Sequence, residues 1–208
     1  MIPLILTILA VFVALVINEW WWRGRTHGEI SRKAVHITVG TFVAFWPLFL
    51  EWRQIELLSL AFVVVVALSQ RLQLFRAIHS VQRPTWGELF FGLSVGLVAF
   101  ATHTPAIYAV ALLHMSLADG MAAITGVKYG ASNAYLVFGA RKSIAGSVTF
   151  ALVSTAIMIG FALQQHTGFH LSYVLLILAA TLLENIAIRG LDNLLIPLLI
   201  AFILSRLV

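Results

Sequence analysis

The sequence predicts an all-α, polytopic membrane protein of about eight transmembrane helices, and three observations carry that prediction. Hydrophobic residues fill 61% of the 208 positions and charged residues only 10%, a composition too apolar to build a water-facing surface. The apolar residues fall into runs approaching the roughly 20 residues that a helix needs to cross a hydrocarbon core about 30 Å thick. Lysine and arginine gather in alternate connections, as positive residues do when they are retained on the cytoplasmic side during insertion.

The runs extend from Ile2 to Asn18, Val35 to Leu50, Ile55 to Gln70, Glu88 to Thr102, Pro105 to Ile124, Ser143 to Leu163, Leu171 to Ile188 and Asp192 to Leu207. The first lacks a basic leader and is followed by Trp20, Trp21 and Trp22, which suit an interfacial aromatic belt, so it reads as a helix and not a cleaved signal. The second, fourth and eighth are short, which fits helices ending against a protein-lined cavity or a thinned bilayer. Placing the first connection inside puts Arg23, Arg25, Arg32, Lys33, Arg71, Arg76, Arg83, Lys128, Arg141, Lys142 and Arg189 in the cytoplasm and leaves only Arg53 and Arg206 outside. Both termini are then outside. The compact chain suits a bacterial plasma membrane.

Residues 1–208 read as one domain, without a fixed-period repeat, a low-complexity tract or a long linker. Only the inner connections around Gln70 to Gly87 and Lys128 to Lys142 have room for more than a turn. The absence of cysteine excludes disulfides, thiolate metal sites and cysteine nucleophiles. The net charge of +5 follows from the topogenic bias and suits anionic lipids or a polyphosphate substrate, whereas no nucleic-acid-binding module is present.

An ionisable side chain inside a membrane helix is expensive, which makes it a functional candidate. Glu19, Glu29, Glu51 and Glu56 flank loops and read as solvated or paired. Glu88 opens the fourth run and is followed at four-residue steps by Gly92 and Gly96, a strip that either packs closely against another helix or admits a ligand. Those glycine faces suit contacts within one chain or between two copies in a homo-oligomer.

Asp119, among small residues in the fifth run, needs a cation, either an arginine in a salt bridge or a hard metal such as Mg²⁺. Glu184 lies near the inner end of the seventh run, and Asp192 and Asn193 open the eighth, where they either cap the helix or supply oxygen ligands. Arg141, Lys142 and Ser143 precede the sixth run, with Gly146 and Ser147 in its first turn; cations at the positive end of a helix dipole suit a bound anion, or are simply topogenic. Lys33 leads into His36 and Gly40 on one helical face.

Carboxylates for Mg²⁺ together with Arg, Lys and helix N-termini for phosphate oxygens are the parts that phosphoryl transfer requires. Neither a P-loop nor the glycine loop and His-Arg-Asp set of protein kinases occurs, so a nucleotide would need another cradle.

Several of these elements, in the same order, resemble a known family. Arg32-Lys33-Ala34-Val35-His36 through Gly40 is similar to the Arg-Lys-x-x-His-x-x-x-Gly element of the membrane dolichol, phytol and diacylglycerol kinases that use CTP. Arg83-Pro84-Thr85-Trp86-Gly87-Glu88 resembles their Gly-Glu segment, and Asp119 to Gly126 their Asp-x-x-Ala-x-x-x-Gly helix. Arg141-Lys142-Ser143-Ile144-Ala145-Gly146-Ser147 looks like their Lys-Lys-Ser-x-x-Gly-Ser loop, with Arg141 where a lysine is common. Glu184 and Asp192-Asn193-Leu194 resemble their closing Glu and Asp-Asn-Leu. The likeness covers about residues 32–197 and extends more distantly to the phosphatidate cytidylyltransferases, whose longer signature is absent.

The resemblance implies a CTP- and Mg²⁺-dependent kinase of a lipid alcohol, with its site at the cytoplasmic face. Asp119, Glu88 and Lys142 are then the expected catalytic residues, and Asp119, Asp192, Glu88 and Glu184 the expected metal ligands. Lys33, His36, Arg141, Lys142, Ser143, Gly146, Ser147 and Asn193 are expected around the nucleotide. Two alternatives are a cytidylyltransferase that releases pyrophosphate and leaves a CDP-lipid, and a transporter. The latter would place its charges at the bilayer midplane and show inverted repeats.

Overall fold

The computed structural model describes residues 2–22, 28–72 and 86–207. Arg23, Arg25, Arg76 and the Arg83-Pro84-Thr85 portion of the fourth-run motif lie outside the described residues. The helices are α1 (Ile2–Trp22), α2 (Glu29–Ala44), α3 (Trp52–Leu72), α4 (Gly87–Thr102), α5 (Pro105–Leu113), α6 (Asp119–Tyr129), α7 (Ile144–Gln164), α8 (Leu171–Ile186) and α9 (Asp192–Leu207).

All eight apolar runs lie on helices, with shifted ends. α2 begins at Glu29, earlier than Val35, and stops at Ala44, after which Trp46–Leu48 forms a 3-10 turn containing Pro47. Its first turn is closed by Ser31, whose Oγ accepts the Gly28 N–H at 3.2 Å, and Glu29 favours the positive helix end. α5 starts at Pro105, whose missing N–H costs nothing in a first turn. Helix α5 continues through a π-helical segment, His114–Ala118, into α6, so Pro105–Tyr129 is one helix of 25 residues that runs beyond the predicted end at Ile124.

This long helix is the axis of the bundle. It packs on α2, α7 and α9, with α4 against α3 and α9, α8 against α7 and α9, and α1 on α2. Tyr108, Leu112, Met115, Phe150, Met158, Ile196, Ile200 and Leu204 form the closed interior. The outside is equally apolar, with Leu9 and Phe12 on α1, Leu60 and Val65 on α3, Leu152 and Leu163 on α7 and Leu182 on α8 all exposed. A molecule greasy on both faces is solvated by lipid. Among the described residues, Pro105–Tyr129 and Ile144–Gln164 are long and apolar enough to cross a membrane.

Close approach depends on glycine at two points on α2 and the axis. A methyl group on Gly40 would overlap the Ser116 side chain, and one on Gly120 would run into Ile37. Gly92 is likewise covered, since a Cβ there would lie 2.7 Å from Phe62 and 2.8 Å from Val63 of α3. The glycine strip below Glu88 is therefore a helix-packing surface within the chain.

The expectation of a purely helical chain is corrected at the connection before α7. Strands β1 (Ala134–Val137) and β2 (Ala140–Ser143) form an antiparallel hairpin, with Tyr135 opposite Lys142 and Leu136 opposite Arg141. Phe138 (φ 47°) and Gly139 (φ 77°) make the two-residue turn, both left-handed as a turn matched to strand twist requires. Aromatic and β-branched residues around a glycine favour this local choice.

Candidate active site

α2 and the axis helix bring together two residues 86 positions apart. Lys33 Nζ donates to Asp119 Oδ2 at 2.5 Å, with Lys33 5% and Asp119 3% exposed. His36, one turn after Lys33, places Nε2 3.0 Å from the Met115 carbonyl oxygen and 3.8 Å from Asp119 Oδ2. The π segment adds an extra residue to the turn immediately before Asp119 and so sets which face of the axis carries it; such insertions recur at functional sites.

Asp192 opens α9 within electrostatic reach of Asp119, Lys33 and Lys142. Its Oδ1 accepts the Asn193 backbone N–H at 2.9 Å. Asn193 is buried, its Nδ2 donates to the Gly87 carbonyl at 2.9 Å, and its Oδ1 has no partner among the described residues. Lys142 Nζ donates to the Glu184 carbonyl oxygen at 2.5 Å and to Glu184 Oε1 at 2.6 Å.

The start of α7 is largely satisfied within the chain. Ser143 is its N-cap and accepts the Gly146 N–H at 3.1 Å, while the Ala145 N–H donates to Asn133 Oδ1 at 3.3 Å. Gly146 lies against the Ala122 carbonyl, so its missing side chain admits α6. Ser147 Oγ lies 2.9 Å from Asn185 Oδ1 and 2.8 Å from the Tyr135 hydroxyl, which also donates to Asn185. A phosphate placed at this helix end would have to displace these partners.

Lys33, His36, Asp119, Lys142, Glu184, Asp192 and Asn193 thus lie at one end of the bundle, in a continuous web of contacts and charges. Two expected members form no ion pair with this web among the described residues. Glu88 is half-buried in the first turn of α4. Arg141 is exposed and, by strand alternation, points away from the face that carries Lys142.

No group of three or more His, Cys, Asp or Glu side chains forms a metal cage among the described residues. Mg²⁺ needs less, since it is commonly held by one or two carboxylates and completed by water and substrate phosphates. Asp119, Asp192 and the unpartnered Asn193 Oδ1 fit that pattern. Sequence reasoning passes over Tyr135 and Asn185, although an asparagine beside Glu184 in an otherwise apolar helix is itself a signal.

Lysines and carboxylates, buried or half-buried, that converge at one end of a lipid-solvated helical bundle define a membrane-embedded protein with a polar site suited to charged substrates. The chain is 35% identical over 182 residues to the phytol kinase of Synechocystis sp., a match covering 82% of this chain and 76% of that protein. The chain belongs to the family of lipid-alcohol kinases that includes this phytol kinase. No family model and no solved structure matches the chain.

Proposed function

We propose that this kinase transfers the γ-phosphoryl group of CTP to the hydroxyl of a lipid alcohol, a phytol, polyprenol, dolichol or diacylglycerol, in a Mg²⁺-dependent reaction. The site would face the cytoplasm of a bacterial plasma membrane that the chain crosses about eight times with both termini outside. The buried Lys33–Asp119 pair, with Asp192 in electrostatic reach, carries the reading, in a chain related to a phytol kinase.

The alcohol oxygen attacks the γ-phosphorus, the bond from that phosphorus to the bridging oxygen breaks, and CDP leaves. Asp119 takes the hydroxyl proton, oriented for it by Lys33 on its Oδ2. His36 buttresses the pair from the same helix turn. Lys33 and Lys142 offset the charge of the triphosphate, and Asp192 and Asn193 complete the polar wall. Asp119 and Asp192 would hold Mg²⁺, which would supply further charge neutralisation. The acceptor tail stays in the bilayer.

Purified protein in nanodiscs, given γ-labelled CTP, ATP, GTP or UTP with Mg²⁺ and a panel of prenols and diacylglycerol, tests this. Label in the lipid from CTP supports the reading. Pyrophosphate release with formation of a CDP-lipid replaces it with the cytidylyltransferase reaction.

A further inference from the structure

We propose that the outer face of the β1–β2 hairpin is a membrane anchor that seats in the headgroup layer of anionic lipids. Strand alternation divides the hairpin into two faces. Tyr135 and Lys142, cross-strand partners, turn inward and engage Asn185 and Glu184. Leu136 and Arg141, the next cross-strand pair, turn outward with Phe138 at the tip.

That outward face is costly in water. Phe138 is 78% exposed and Leu136 74%, the two highest values among the large apolar residues of the hairpin and the helices it joins. Phe138 also occupies a left-handed backbone position where asparagine or glycine is the usual choice. A bulky apolar residue held there has its side chain placed at the tip at the expense of local strain.

The surroundings select lipid. Ile144 and Val148, exposed on the first turns of α7, add apolar surface directly after the hairpin in the chain. Lys128, its Nζ 5.1 Å from the centre of the exposed Tyr129 ring, and the exposed Arg141 add cations. Apolar tip, aromatic ring and cations together match the acyl boundary, the headgroup level and the lipid phosphates in turn. Through Lys142 and Tyr135 the anchored hairpin holds the inner ends of α7 and α8.

The chain has no cysteine, so Phe138→Cys and Leu136→Cys each give one site for a nitroxide label. In nanodiscs of mixed phosphatidylcholine and phosphatidylglycerol, both labels are expected to meet oxygen more readily than a water-soluble nickel chelate. Replacing the phosphatidylglycerol by phosphatidylcholine, or adding Arg141→Gln, should lower the ratio of inserted to water-facing hairpin about fivefold for each cation that no longer meets an anionic headgroup. Labels that stay in water in both lipids overturn the proposal. Spin–spin broadening that vanishes on dilution with unlabelled protein assigns the face to a second copy. Unchanged label depth with a raised KM for CTP in Arg141→Gln assigns that guanidinium to the nucleotide, and each of these two results also overturns the anchor. Failure of phosphoryl transfer leaves the depth measurement intact.

Discussion

Tyr135 and Lys142 face each other across the hairpin and hold two consecutive residues of α8, with Lys142 on Glu184 and Tyr135 on Asn185. A short strand pair thereby fastens the start of α7 to the end of α8. Lys142→Met strands a buried carboxylate and is expected to cost about 3 kcal/mol, most of which Lys142→Met/Glu184→Gln restores. Tyr135→Phe, which leaves the Ser147 contact to Asn185 in place, should cost only about 1 kcal/mol. Thermal unfolding in detergent measures each. Equal melting of the Lys142 single and double variants would dissolve the coupling.

The Lys33–Asp119 pair is structural and, in the proposed reaction, chemical, and the two roles are separable. Asp119→Leu alone leaves a buried ammonium and should destabilise by about 3 to 5 kcal/mol. Lys33→Met/Asp119→Leu removes both charges and should recover most of that stability while phosphoryl transfer stays absent. Activity in the refolded double variant would place the pair outside the chemistry.

Helix registry gives a third expectation. Gly120→Ala pushes a methyl into Ile37 and is expected to cost about 1 to 3 kcal/mol of stability. Ile37→Ala should compensate in the double variant, since it empties the space that the methyl needs. A double variant less stable than either single change would show that α2 and the axis helix pack differently.

The helices are legible because membrane solvation writes them as apolar runs, and Lys33, Asp119, Lys142 and Asp192 stand out because charge is rare there. What the runs do not reveal is pairing. In sequence, Lys33 points to nucleotide and Asp119 to an arginine or a metal, whereas in the fold each is the other's partner across 86 positions. The π segment stays hidden because one added residue in a turn leaves an apolar pattern intact. The hairpin reads as a loop, and Arg141 and Lys142 then read as one cluster, where two-residue alternation sends them to opposite faces. Gly92 and Gly96 are ambiguous between packing and ligand approach until α3 is seen to cover them.

The proposed orientation is open to a direct check on a chain without native cysteine. Glu51→Cys, in the exposed connection between α2 and α3, should react with an impermeant maleimide added to intact cells. Ser132→Cys, in the exposed turn before β1, should react only after permeabilisation. The reverse pattern would invert the topology.

The central claim is that a site built on Asp119 phosphorylates a lipid alcohol. Its most direct test is γ-labelled CTP and Mg²⁺ supplied with phytol or another prenol to wild-type and Asp119→Asn proteins of matched folding in nanodiscs. The account predicts labelled lipid phosphate from the wild type, abolished by chelation of the metal and reduced at least about a hundredfold in Asp119→Asn, as expected for removal of a proton-transfer group. Equal labelling by the two proteins would contradict it.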